Sequence, residues 1–259
     1  MVPRLNSAER PDDLPEIGVW HYKDALYFYA YGPVEWEWDS NKLIFQHRLH
    51  LWENKSYYFI SDSKGLPKAI ETLPAVGTTP SRSVSSYDHR TYHEMENISL
   101  ILSGRKWFGE SFSVTNNTLE RTINFQIPDR ISSEELRISA AVAGRSALVN
   151  QFNFKINEDA FPALVLSVPP LDISRYDSHF ARETSGMGRA TAGNGELNVS
   201  VQYNDLNSNA TGWLDYITIN SRAALNLRNG ELQFRDFSSV SPGETLEFNI
   251  SNANQSTVV

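Results

Sequence analysis

The feature that most constrains this chain is strict alternation of apolar and polar residues. In LNVSVQY, Leu197, Val199, Val201 and Tyr203 face one way while Asn198, Ser200 and Gln202 face the other. TINFQI (Ile123, Phe125, Ile127), LRISAAV (Leu136, Ile138, Ala140, Val142), ELQFRDF (Leu232, Phe234) and LEFNI (Leu246, Phe248, Ile250) repeat the pattern. Side chains of an extended backbone point alternately to opposite faces, so each stretch predicts a strand with one buried face. Three others, LYFYAY from Leu26, LIFQHRLHL from Leu43 and SYYFIS from Ser56, are apolar or aromatic on both faces and predict strands covered on two sides.

Between these runs lie Asn-, Gly- and Pro-rich turns: AGNGE, YNDLNSNATG, RNGE and SPGE. Short strands at this spacing predict a mainly β fold, because parallel crossovers need intervening helices. The expectation is two antiparallel β domains with one or two short helices. Residues 1–128 form an aromatic-rich β domain with one short helix, and 129–259 a jelly-roll-like sandwich, with the boundary where the pattern pauses at Ile127-Pro128-Asp129. The helix is expected in EMENISLIL, where Ile98, Ile101 and Leu102 share a helical face and Gly104 stands at the C-cap. SSEEL at Ser132 is allowed one turn, and PAVGTTPSRSVSSYDHR from Pro74 reads as one long loop.

Composition then narrows the function. The 259 residues carry a net charge of -8, with no basic stripe, which argues against a nucleic-acid partner. No apolar run approaches the roughly 20 residues that span a bilayer, and MVPRLNSAERPDDLPEI has neither the basic start nor the apolar core of a signal peptide. The chain has no cysteine, which removes disulfides, thiolate metal sites and thiol nucleophiles.

No residue carries a catalytic signature, and no cofactor or metal is expected. His47 and His50 fall on opposite faces of a strand; His89 and His93 would meet only on a helix and supply too few ligands for zinc; His21 and His179 have no readable partner. Carboxylate pairs for sugar hydrolysis must converge across a gap of about 5 to 9 Å. Glu35, Glu37 and Asp39, Glu94 and Glu96, or Glu110 and Asp215 are candidates, with a solvated surface role as the plainer reading. There is no G-x-S-x-G elbow, and the glycines of GMGRATAG read as a loop rather than a phosphate cradle.

Aromatics are the remaining signal. Trp36 and Trp38 in PVEWEWD share a face if extended, and with Trp213 they are candidate surface platforms for a sugar or a protein; their alternative is two core rings beside Gly32-Pro33. In SGRKWFGESF, Gly104 and Gly109 permit bends, Trp107 and Phe108 project to different sides, and Arg105 and Glu110 can pair to close the loop. The motif reads as a structural clasp, with an exposed docking loop as its rival.

The run YHEMENISLILSGRKWFGESF resembles a segment of the PorU family of type IX secretion sortases from Bacteroidetes, gingipain-like cysteine peptidases. The agreement falls on Asn97, Leu100, Leu102, Ser103, Gly104, Arg105, Trp107, Phe108, Gly109, Glu110 and Phe112. The opening residues through LYFYAYGPVEWEWD, together with SYYFISDSKG, are similar to upstream segments of the same family, and WLDYITINSRAAL is a weaker match.

The resemblance implies a non-catalytic region preceding a peptidase domain that removes sorting signals from secreted cargo and joins the new end to anionic lipopolysaccharide. Met1 is then either an internal residue of a longer protein or an added start. The implied partners are the downstream peptidase domain, the outer-membrane barrel PorV, secreted cargo and anionic lipopolysaccharide, at the cell surface. A different class also fits: a carbohydrate-binding sandwich using Trp36, Trp38 and Trp213.

Overall fold

The computed structural model describes residues 13–71, 76–102, 106–175, 179–193, 196–205, 207–240, 242–254 and 257. In chain order the strands are β1 (Val19–Tyr22), β2 (Ala25–Phe28), β3 (Val34–Asp39), β4 (Ile44–Leu49), β5 (Arg82–Val84), β6 (Ser86–Glu94), β7 (Ser111–Ser113), β8 (Glu120–Phe125), β9 (Leu136–Arg145), β10 (Asn150–Ile156), β11 (Leu164–Val168), β12 (Arg182–Ala190), β13 (Leu197–Asn204), β14 (Thr211–Ala224) and β15 (Leu246–Phe248). Among the described residues the sole helical element is a 3-10 turn at Phe237–Ser239. The fold is mainly β, as the alternation predicts.

The chain divides into two compact units, Met1–Thr78 and Thr79–Val259. The larger is a two-sheet sandwich, ordered β11-β10-β13-β8 in one layer and β12-β9-β14-β6 in the other, with β7 continuing the β6 edge along β14. Every ladder within these two sheets is antiparallel. From β7 to β14 the chain crosses between the two sheets at each step except the β10–β11 hairpin, which is the winding of a jelly roll.

The alternating residues meet between the layers. Leu197, Val199, Val201 and Tyr203 of β13 join Phe152 and Phe154 of β10 and Leu136, Ile138 and Val142 of β9 in one buried cluster. Each such side chain contributes roughly 1.5–3 kcal/mol on leaving water. A smaller core of Val84, Tyr87, Ala223 and Leu225 is covered by Leu232, Phe234, Leu246 and Ile250.

The domain boundary lies elsewhere than the sequence reading puts it. Strands β6, β7 and β8 belong to the sandwich, so the pause at Ile127-Pro128-Asp129 is a crossing from one sheet to the other, with Asp129 at φ 56°. The compact units part at Thr78/Thr79 instead.

Other expectations are corrected as well. EMENISLIL is not helical: Ile98 forms an antiparallel bridge with Phe108, and Ile101 and Leu102 are exposed. Gly186 and Gly188 lie inside β12 rather than in a loop; a Cβ on Gly188 would overlap the carbonyl oxygen of Ala163, so bare backbone lets β12 close against β11. ELQFRDF buries Leu232 and Phe234 partly without joining a ladder. The expected loop from Pro74 contains β5 and the start of β6, and its first two residues lie outside the described set.

The unit Met1–Thr78 holds two antiparallel hairpins, β1–β2 and β3–β4. Ile44 and Phe45 are its buried apolar residues among those described. LYFYAY and SYYFIS, expected to be covered on both sides, are largely exposed.

Candidate functional site

β6 pairs with β14 as far as Glu94 opposite Tyr216, and β7 takes over at Ser111 opposite Trp213. Between these points the described residues 95–102 and 106–108 lie off the β14 ladder, and at the same level β14 carries an extra residue. Its register against β9 steps from Leu214↔Val142 to Tyr216↔Ala141, so Asp215 is a bulge. A bulge lets two successive side chains escape strict alternation and re-aims one of them.

The excursion folds back on the sheet. Phe108 N–H donates to the Ile98 carbonyl (2.9 Å), Ile98 N–H to the Phe108 carbonyl (2.9 Å), Gly109 N–H to the Leu214 carbonyl (2.9 Å) and Leu214 N–H to the Glu110 carbonyl (2.9 Å). A Cβ on Gly109 would stand 3.1 Å from Cβ of Met95, so glycine lets the return path pass Met95 without crowding it.

The loop crosses a row of cross-strand partners: Glu183 of β12, Ala143 of β9, Trp213 of β14 and Ser111 of β7. Phe108, 2% exposed, packs with Ala143 and Trp213, flanked by Ile98, Leu100 and Ala181. Lys106 spans the same row. Its Nζ lies 2.7 Å from Oε2 of Glu183 and 2.9 Å from Oδ2 of Asp215, and 5.5 Å from the Phe108 ring centroid. Nε2 of His93 lies 2.7 Å from Oε1 of Glu110, tying β6 to the end of the loop.

These contacts set the protonation states. Burial raises the Asp215 carboxyl, and Lys106 only partly offsets it. For Lys106 burial works against the charge, but the hydrogen bonds to Glu183 and Asp215 outweigh it and hold the ammonium above its ordinary value. Burial would raise Glu110, yet the hydrogen bond and charge of His93 leave it lowered. Although much of Glu96 is solvent-accessible, dehydration by its neighbours, then the charge of Glu94 and a hydrogen bond with it, push its carboxyl up to about 7.

The loop is therefore a clasp held by an apolar plug and an ion pair on either side. Phe108 is buried on the sheet and Gly109 hydrogen-bonds to β14, while Glu110, expected to pair with Arg105, is held by His93. Trp107 does not plug into the fold: it is 40% exposed. Glu110 meets His93, while Gly104 and Arg105 lie outside the described residues. His93 and Asp215 were singled out in the sequence for other roles, as a metal-ligand candidate and as a carboxylate paired with Glu110; Lys106 and Glu183 are the members sequence reasoning missed.

Trp213 is 9% exposed beneath Phe108, so it is no surface platform. Trp36 and Trp38 lie in β3 of the other unit, half-buried, with Glu35 and Glu37 exposed on the opposite face. Their rings lie 5.6 Å from His47 and 4.9 Å from Phe45 of β4. Of the candidate carboxylate pairs, Glu94 and Glu96 interact directly, whereas Glu110 and Asp215 are each engaged by a base. Among the described residues no group of three or more His, Asp or Glu is placed to hold a metal ion. No described helix is long and apolar enough to cross a membrane.

No protein-family model matches the chain, and no curated protein matches it by sequence. Two carbohydrate-binding modules of family 36 resemble it in part: one in complex with calcium and xylotriose (12% identity, 50% of this chain and 98% of that one, TM-score 0.29), and one from a multidomain xylanase of the hindgut metagenome of Trinervitermes trinervoides (11%, 51% and 96%, TM-score 0.30). Scores this low carry no inference about fold or ligand. The crystal structure of dimeric latent PorU from Porphyromonas gingivalis is similar at 25% identity and a TM-score of 0.76, over 98% of this chain and 24% of that one. The chain thus spans about a quarter of that protein's length, and over nearly all of its own length it is a PorU-like region.

Proposed function

We propose that this chain is a non-catalytic accessory and docking region of a cell-surface sortase that processes and attaches type IX secretion cargo. The observation that carries this reading is the match of 98% of the chain to 24% of latent PorU. Two features support it. The 259 residues contain no cysteine, so a thiol nucleophile belongs to other residues of such a protein. The best-formed side-chain cluster, around Lys106 and Asp215, is occupied in holding a loop to a sheet.

In this reading the clasp fixes Trp107 in an exposed position beside Lys106, the kind of aromatic anchor that interface hot spots use. The partners are the peptidase domain of the same polypeptide, the barrel PorV, secreted cargo or anionic lipopolysaccharide. The test is a cleavage assay on a cargo sorting-signal peptide with the purified chain and with the full-length protein. Cleavage by the full-length protein alone, abolished by a thiol reagent, is expected; cleavage by the 259-residue chain overturns the reading. In the full-length protein, Trp107→Ala is expected to weaken capture of PorV or cargo at least tenfold while small-peptide hydrolysis stays unchanged.

A further inference from the structure

Among its described residues the unit Met1–Thr78 stands several large apolar side chains in water. Tyr27 is 50% and Phe59 78% exposed, and Leu26, Phe28 and Ile60 stand out with them. The register of β1 against β2 puts Trp20, Tyr22 and Tyr27 on one face of the hairpin and Val19, Leu26 and Phe28 on the other. On the first face the Trp20 ring lies 4.9 Å from Tyr22 and 5.4 Å from Tyr27. Large apolar side chains are exposed on both faces, and a two-stranded hairpin without cover is marginal in water.

Three features identify the occupant. Exposed aliphatic Leu26 shares its face with Phe28, and Ile60 follows Phe59 in sequence, a mix that suits an apolar protein surface better than a sugar that stacks on ring faces alone. A second copy joined by a two-fold contact would bury one patch against itself and leave the opposite face bare. The match to latent PorU occupies 24% of that protein, so a polypeptide of that kind has most of its length available, and tethered, as cover.

We propose that both faces of the β1–β2 hairpin, together with Phe59 and Ile60, are a docking surface for the part of the same polypeptide outside these 259 residues. The proposal rests on the functional reading above and names the surface it uses.

The test is hydroxyl-radical footprinting of the full-length protein beside the 259-residue chain, reading oxidation rates at Tyr27, Phe28 and Phe59 over a hundredfold range of protein concentration. The expected result is at least tenfold slower oxidation in the full-length protein at every concentration. Equal rates in the two proteins overturn it. So does protection already complete in the short chain, protection that grows with concentration, which indicates a second copy, or protection that requires added polysaccharide. A parent protein without a cysteine peptidase domain overturns the functional reading whatever the footprint. Unprotected rings in a parent that has one overturn the docking surface alone.

Discussion

Lys106 holds Asp215, a carboxylate 7% exposed that reaches the loop only because a bulge in β14 turns it there. Removing the base would strand a buried charge, which costs far more than the pair contributes in place. Lys106 is half-exposed, so Lys106→Met is expected to destabilise by about 2 kcal/mol rather than the full cost of a buried pair. In a double-mutant cycle with Asp215→Asn, coupling above about 1 kcal/mol is expected by urea unfolding. Additive effects would show that the clasp is held by Phe108 alone.

A second buried pair fastens the smaller core. Nη1 of Arg222 on β14 donates to Oδ1 of Asp236 (2.7 Å) and Oδ1 of Asp88 (2.8 Å), and its Nη2 to Oγ of Ser86 (2.7 Å). Asp88 also accepts the Phe237 N–H, and Asp236 the Ser238 hydroxyl. The Asp236 side chain is fully buried, so Asp236→Ala is expected to cost about 3–5 kcal/mol. Hydrogen exchange should rise first in 225–251, the segment this network fastens to the β6 edge.

Gly188→Ala tests how the sandwich closes. The added methyl meets backbone, which cannot rotate aside, so β11 and β12 must part. Overpacking of this kind costs about 1–3 kcal/mol and often more. A variant with an unchanged thermal midpoint would mean that the two sheets are free to separate along this side.

Much of the sandwich was legible because its strands have one wet face. The alternation in LNVSVQY and in the TINF part of TINFQI survives as β13 and β8, whereas LRISAAV forms β9 but is buried on both faces from Ile138 onward, because the loop carrying Phe108 covers its outer side at Ala143. Alternation reports an extended backbone with one buried side, however, not a ladder partner, which is why Leu232 and Phe234 face a core from outside any strand. Three apolar residues at helical spacing in EMENISLIL are too few to outweigh the Ile98–Phe108 bridge, a contact between residues ten apart. In the candidate site the sequence singled out the segment around Phe108, Gly109 and Glu110 but not the partners that hold it, His93 for Glu110 and Asp215 for Lys106. Its electrostatic half depends on the β14 bulge, and a single inserted residue leaves no periodic trace.

His89 gives the fold an acid limit. Burial first, then the nearby Arg90 charge, lower its imidazole from 6.5 to about 4, and its Nδ1 lies 3.1 Å from the Tyr87 hydroxyl. Below pH 6.5 the unfolded chain takes up a proton that the folded one refuses, so stability falls as pH drops from about 6.5 to about 4. The full effect is roughly 3 kcal/mol. Denaturation midpoints of the wild type and His89→Gln should converge over this window as pH falls; a constant difference would show that His89 does not titrate there.

Glu96 works in the opposite direction. Its raised carboxyl stays protonated in the fold up to about 7 while the unfolded chain ionises near 4.5, so this contribution is present below pH 4.5 and is lost as pH rises through 7. Ionisation then sets Glu96 against the charges of Glu94 and Asp215 at the start of the loop. Glu96→Gln, which keeps the hydrogen bond without the charge, should gain on the wild type as pH rises from 4.5 to 7 and then hold a constant lead. Midpoints whose difference is flat across that range would mean that the two carboxylates are separated by solvent, and that Lys106 and Phe108 hold the clasp without any contribution from this pair.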